Sequence, residues 1–363
     1  MSAKNLVASG YRYKTGFYGG KFMPFHVGHL DTIIRCAAEC EHLYVVVMHH
    51  GDEENEMMEN YCHPFPKDCL DPDLRVNALR AQVKPLGNVE VLSYDCREAD
   101  ERASIEGKHL WHYECQDMVE LMGHFDVAYS SELEYVGNFR RFYPWADAVV
   151  VDVERARFPI SATMLRDMPF AKAYPYLPRE YQKLINRKVL VAGPESGGKS
   201  HLVRELAMML NTSYTEEMGR LCCEHYSASS PGASFYPGFV FAQKEAERVA
   251  IEKANMVAIC DSDAIITAFY AEEYEDVHLD VAFEAARASG YDKVLFVEPS
   301  NPWVDDGLRT SPEPDERWAQ SQKMKEMYAA VGYELEILDG NYRSNYEKAL
   351  ASIQKMLGIE EAV

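Results

Sequence analysis

Short apolar, β-branched runs alternate along this chain with stretches whose apolar residues recur every three or four positions. In the first half the runs are KTGFYGG, LYVVVM, VEVLSY, FDVAYS and DAVVVD, and in the second RKVLVA, MVAIC, KVLFV and ELEIL. Between them HLDTIIRCAAEC and LRVNALRAQV carry helical spacing. Runs of this length suit buried strands, and the spaced stretches suit helices with one apolar face. Strand and helix in alternation predict an α/β fold built from doubly wound parallel sheets, which take ligands at the carboxyl ends of their strands.

The two series are separated by RDMPFAKAYPYLPREYQKLINRK, a proline-bearing stretch at residues 166–188 in which parts are expected to be helical. With 363 residues the chain is about twice the usual domain length. We therefore expect one domain over residues 1–186 and another over 187–363. No internal repeat relates them.

Charge narrows the partners. A formal net charge of −21 argues against a nucleic-acid duplex or an anionic membrane, since no segregated basic block offsets it. No apolar run approaches the ~20 residues of a membrane span. Nine scattered cysteines without C-x-x-C, and an N-terminus MSAKNLVASG lacking a signal-peptide apolar core, point to a reduced cytoplasmic setting. Cys62, His63 and Cys69 cluster loosely, but their spacing fits no common zinc site.

The second series opens on VAGPESGGKSH, residues 191–201. Gly193, Gly198, Lys199 and Ser200 satisfy the phosphate-loop pattern G-x-x-x-x-G-K-[ST], and Gly197 and His201 lie beside them. The run RKVLVA before it and SHLVRELAMML after it supply the strand and helix that the motif needs. Glycines let backbone N–H groups surround phosphate oxygens, Lys199 reaches the outer phosphates and Ser200 holds Mg²⁺.

The first series opens on GFYGGKFMPFHVGHL. Gly19, Gly20 and Lys21 end a strand, and His26 and His29 stand where the next helix begins. Two histidines three apart at a helix start can point into one pocket, and imidazole donors stabilise charge on a phosphate undergoing substitution without acting as nucleophiles.

GGKFMPFHVGH resembles the signature of nucleotidylyltransferases related to class I aminoacyl-tRNA synthetases, and ISATMLR at residues 160–166 resembles the second signature of nicotinamide-nucleotide adenylyltransferases. That resemblance places Ser161, Thr163 and Arg166 on ATP phosphates. A nucleotidylyltransferase followed by a phosphate-loop kinase is similar to the bifunctional nicotinamide-nucleotide adenylyltransferase and ribosylnicotinamide kinase of the NadR family. SSELEY, with Ser131, resembles the segment near the adenosine; TEEMGR, with Glu217 and Arg220, DSDAIIT, with Asp261 and Asp263, and NPWVDDGLR, with Trp303 and Arg309, resemble segments of the kinase. Met218 stands where an aromatic is usual, and Ala268 replaces a threonine. The family's frequent N-terminal helix-turn-helix segment has no counterpart before the first strand, so DNA repression is not implied.

The resemblance implies two reactions with ATP as substrate in both. The kinase half would convert nicotinamide riboside to the mononucleotide, using Lys199, Mg²⁺ on Ser200 and Asp261, a carboxylate at Asp261 or Asp263, and Arg309 closing over ATP. Trp303 could stack on the nicotinamide ring or merely pack a loop, Asp263 could equally cap a helix, and Glu217 could be solvated. The first half would join the mononucleotide to ATP, releasing pyrophosphate, with Lys21, His26, His29 and Arg166 converging on the triphosphate. Trp111 is either a neighbour of the nicotinamide or part of a helix core. Two other readings compete. One is a nucleotidylyltransferase for another phosphorylated metabolite fused to an unrelated kinase. The other is a chain with one half reduced to a nucleotide sensor. Whether the chain forms a homo-oligomer is left open.

Overall fold

A computed structural model of the chain describes residues 10–61, 71–152, 154–226, 232–303, 311 and 313–359. Cys62, His63, Cys69 and Arg309 lie outside these residues. The chain separates into two compact units, Met1–Ile185 and Asn186–Val363. The proline-bearing stretch between the two strand series holds three short helices, Ala162–Asp167, Phe170–Ala173 and Arg179–Ile185.

The first unit is built on strands β1 (Tyr13–Gly20), β2 (Cys40–His49), β3 (Val89–Asp95), β4 (Val127–Ser130) and β5 (Asp147–Val150). All neighbours are parallel, in the order β3-β2-β1-β4-β5. Every residue of β4 is buried, as expected for an apolar strand covered on both faces. Within the FDVAYS run, Asp126 precedes β4 and ties it to its neighbours: its Oδ2 accepts the backbone N–H groups of Lys14 and Thr15 at 2.9 and 3.0 Å, fixing the start of β4 against β1.

The second unit has strands β6 (Arg187–Ala192), β7 (Val257–Asp261), β8 (Lys293–Val297) and β9 (Leu335–Leu338), again all parallel, in the order β7-β6-β8-β9. All of β7 and the last four residues of β6 are buried. Its core packs Leu190, Cys260 and Phe296 of the sheet against Val240, Phe269 and Tyr328 of the helices.

In each sheet the chain first winds outward on one side of its first strand and then returns to the other side. The reversals lie between β1 and β4 and between β6 and β8. Parallel crossovers of one hand diverge at such a point and leave a crevice at the carboxyl ends of the strands. The loop after β1, a strand that ends on Gly19 and Gly20, and the glycine loop after β6 both start at these carboxyl ends.

Candidate active sites

In the second unit the loop after β6 is held open by backbone constraint. Gly193 has φ +133°, and a Cβ there would lie 2.2 Å from the carbonyl oxygen of Val297. Gly198 has φ +95°, and a Cβ would lie 2.4 Å from the Tyr342 ring. Both positions therefore exclude side chains. Lys199 begins the helix Lys199–Met209, is buried, and donates from Nζ to the carbonyl of Pro194 at 2.9 Å.

This loop borders a cavity of about 920 Å³ whose wall includes Lys199, Ser200, His201, Glu217, Arg220, Asp261 and Asp263. Asp261 ends β7 with its Oδ1 lacking any hydrogen-bond partner. Burial raises its carboxyl pKa, opposed by the Lys199 ammonium and the Ser200 hydroxyl. Asp263 has two roles. Its Oδ1 caps the helix Ala264–Glu275 by accepting from the backbone of Ile265 and Ile266, and also accepts from the Tyr328 hydroxyl at 2.6 Å. Its Oδ2 has no partner, and burial pushes the carboxyl up to about 6 against the pull of Tyr328. Capping and an available oxygen thus coexist on one side chain.

Trp303 is placed differently from the expectation of a ring-stacking wall. Its indole N–H donates to Glu195 Oε1 at 3.1 Å, the same oxygen that accepts the backbone N–H of Ser311 at 2.7 Å. Asn301 adds a bond from its side-chain amide to the Gly197 carbonyl at 3.2 Å. The NPW segment therefore braces the phosphate loop, and the cavity wall takes its aromatic rings from Tyr236, Phe239, Tyr270, Tyr274 and Tyr342 instead. Tyr270 and Tyr274 stack with centroids 5.5 Å apart, one helical turn from each other on Ala264–Glu275. Glu195, an unspecified position of the motif, and this tyrosine pair are features the motifs did not single out. Helical spacing of the tyrosines was the available signal.

In the first unit a cavity of about 670 Å³ is bordered by Gly19, Gly20, Lys21, His26, His29, Trp111, Ser131, Ser161, Thr163 and Arg166. The sequence candidates for this half thus share one wall system. His26 caps the helix Val27–Glu39: its Nδ1 accepts the Gly28 N–H at 3.2 Å, which leaves the proton on Nε2. His29 stacks on it with centroids 3.7 Å apart. Burial, then the nearby Arg155 charge, pushes His26 down to about 4. Burial, His26 and Arg155 hold His29 well below the usual histidine range. Both rings are therefore neutral near pH 7, each keeping one N–H, and His29 Nδ1 has no hydrogen-bond partner.

Arg166 is buried; it donates to the Met23 carbonyl and, at 3.1 Å, to Thr163 Oγ1, while its Nε has no partner. Ser161 caps the short helix that carries both. Ser131 Oγ meets the Tyr18 hydroxyl at 3.3 Å. Lys21 pairs with Glu53 at 2.6 Å in a largely solvent-exposed contact, and its carbonyl accepts from Arg75, which is buried against Glu54 at 2.9 Å. Trp111 belongs to a helix packed on other aromatic rings. It packs on Tyr135 and Phe139 at 5.7 and 5.6 Å and also lines the cavity. Arg155, Asp100 and Glu114 line it as well, without a motif to announce them.

Comparison with known proteins covers both units. The family model described as an AAA domain matches residues 188–344. The "Trifunctional NAD biosynthesis/regulator protein NadR" of Salmonella typhimurium is 24% identical over 94% of this chain and 83% of its own length. A crystal structure of a NadR protein in complex with NR superposes with a TM-score of 0.77 at 23% identity, covering 96% of this chain and 98% of that one. Another, of NadR in complex with NAD and AMP-PNP, gives 0.74 at 22% identity over 97% and 98%. No described helix is long and apolar enough to cross a membrane. The chain folds as two parallel-sheet units, and its similarity to the NadR proteins, whose names assign them to NAD biosynthesis and regulation, runs through both units.

Proposed function

We propose that the chain is a bifunctional enzyme of NAD biosynthesis. Its second unit phosphorylates nicotinamide riboside with ATP, and its first unit joins the resulting mononucleotide to a second ATP, giving NAD and pyrophosphate. The observation that carries this reading is the presence, in one chain, of two separate cavities, each bordered by its own phosphate-binding loop.

In the kinase unit the riboside 5′-hydroxyl oxygen attacks the γ-phosphorus while the bond to ADP breaks. Asp263 Oδ2, unpartnered and on a carboxyl with a pKa near 6, receives the hydroxyl proton. Lys199 leaves the Pro194 carbonyl to meet the outer phosphates. The unpartnered Asp261 oxygen beside the Ser200 hydroxyl is a set of hard oxygen donors that fits Mg²⁺, with phosphates completing the shell. When bound, that ion neutralises phosphate charge. Glu217, Arg220 and His201 border the same cavity and would contact substrate or nucleotide. Replacing Asp263 with Asn retains a capping oxygen for Ile265, Ile266 and Tyr328 but removes the proton acceptor. Asp263→Asn should therefore lower kcat for the riboside by roughly 10²–10⁴-fold with little change in melting temperature. An unaltered kcat would leave Asp263 with its structural role alone.

The riboside's pyridinium ring is a cation and is assigned to the Tyr270–Tyr274 face rather than to Trp303. Tyr270→Ala should raise the KM for riboside about threefold to thirtyfold, from the ~0.5–2 kcal/mol of a cation on an aromatic face, while leaving the KM for ATP nearly constant. Equal KM values for riboside in variant and parent would remove the pair from the ring site.

In the adenylyltransferase unit the mononucleotide phosphate oxygen attacks the α-phosphorus and pyrophosphate departs, so no protein nucleophile is needed. Neutral His26 and His29 donate N–H groups to the triphosphate, and Lys21 and Arg166 supply positive charge. A panel of phosphorylated acceptors, each supplied with ATP and Mg²⁺, tests the acceptor assignment. The reading requires nicotinamide mononucleotide to be the acceptor with the highest kcat/KM, and preference for an unrelated phosphorylated metabolite would overturn it.

A further inference from the structure

Glu217, Arg220, Asp261 and Asp263 reach the cavity of the second unit from two separate segments, the stretch 215–220 and the end of β7. One side chain joins those segments. Gln243, on the helix Tyr236–Lys253, is 2% exposed, and both polar atoms of its amide are used. Its Oε1 accepts the Met218 backbone N–H at 2.9 Å, where the helix Met218–Tyr226 begins and a main-chain donor would otherwise lack a partner. Its Nε2 lies 3.3 Å from each of three acceptors, Thr215 Oγ1 and the carbonyls of Asp261 and Ser262. Thr215 completes the link by accepting the Asp261 N–H on the same hydroxyl oxygen at 3.0 Å. These partners dictate the amide's orientation, since a backbone N–H needs an acceptor and two carbonyls need a donor.

The turn held in this way is not one the chain adopts freely. Ser262, between the two aspartates, has φ +64°, in the left-handed region that a Cβ disfavours. Such a backbone persists only where surrounding contacts over-determine it. Ser262 donates its N–H to the Val191 carbonyl of β6 at 3.1 Å and receives the Gln243 amide on its own carbonyl. On either side of it Asp261 Oδ1 and Asp263 Oδ2 are left without partners, while the other oxygen of Asp263 caps the next helix. The placement of both unpartnered oxygens therefore depends on a main-chain geometry that Gln243 supports.

We propose that Gln243 is a positioning residue of the kinase unit. Its amide locks the Asp261–Asp263 turn to the 215–218 stretch, so that both carboxylates and the segment bearing Glu217 meet the riboside and the moving phosphoryl group in one fixed arrangement. The inference rests on the kinase reading above. Gln243 acts through the aspartates and not on a reacting atom.

The test measures kcat and KM for riboside and for ATP in the full chain, comparing the parent with Gln243→Glu and Gln243→Met, and repeats both substitutions in the Asp263→Asn background. Glutamate keeps the shape and the acceptor for Met218 but turns an oxygen on the carbonyls of Asp261 and Ser262, whereas methionine keeps the length and loses every polar contact. Both should lower kcat roughly 10- to 100-fold with the riboside KM nearly constant, because a displacement of about 1 Å at a reacting group costs on the order of 100-fold. In Asp263→Asn the same substitutions should cost about tenfold less, since the carboxylate they displace is already gone. Loss of folded protein enters both backgrounds alike and cancels in that comparison, and adenylyl transfer by the same preparations should continue at the parent's rate. Equal losses in the two backgrounds, an unaltered kcat in both variants, or a raised riboside KM at the parent's kcat overturns the inference alone. A parent protein that does not phosphorylate the riboside overturns the kinase reading and this inference with it.

Discussion

Lys199→Ala abolishes riboside phosphorylation, a loss of at least about 100-fold, while adenylylation of supplied mononucleotide continues. The magnitude follows from removing a buried cation aimed at phosphates, where one preorganised contact is worth about 2.7–4 kcal/mol. The lysine is buried at the first turn of its helix and is held in the resting loop by the Pro194 carbonyl. The loop's shape does not depend on it, because Gly193 and Gly198 set the backbone through positive φ and close approach to Val297 and Tyr342. The variant should therefore fold. Separate assays of the two reactions check this, and a joint loss of both in a folded variant would contradict the assignment of one reaction to each unit.

His29→Ala lowers adenylyl transfer by roughly 100–1,000-fold and leaves the kinase running, the converse pattern. The side chain removed is a neutral donor stacked 3.7 Å from His26 in the cavity wall. Because burial holds both imidazoles neutral, protonation of this pair should not produce an inflection in the adenylyltransferase rate between pH 6 and 8. A pre-steady-state assay of pyrophosphate release isolates the chemical step. An unaffected rate would show that H-V-G-H is a helix cap without a catalytic part.

The fold was legible because strand runs such as VLVA within RKVLVA and VVV within LYVVVM are apolar, which is what burial on both faces of a parallel sheet demands. The phosphate loop of the second unit was legible for another reason: few residue types fit a backbone at φ +133° pressed against a neighbouring carbonyl, as at Gly193. The remainder of each site depends on long-range packing. Glu114 reads in sequence as an ordinary polar position of an amphipathic helix. Its burial arises when Leu110–Met122 packs beside Arg97–Glu106, which local spacing does not encode. Trp303 shows the opposite case. A resemblance put the residue in a segment of the kinase, stacking on a ring or packing a loop, but the direction of its indole is set by the Glu195 carboxylate, an unspecified letter of the motif. Asp263 takes the capping reading through one oxygen, while its other oxygen is buried without a partner.

The central claim, that one chain makes the mononucleotide in its second unit and consumes it in its first, is tested most directly by a single time course. Nicotinamide riboside and ATP with Mg²⁺ are given to the parent protein, and mononucleotide, ADP, NAD and pyrophosphate are followed together. The account predicts that ADP and mononucleotide rise from the start, that NAD and pyrophosphate follow after a lag in equal amounts, and that no NAD forms from riboside in Lys199→Ala unless mononucleotide is added. NAD formation from riboside by that variant, or ADP formation with no NAD in the parent, would contradict it.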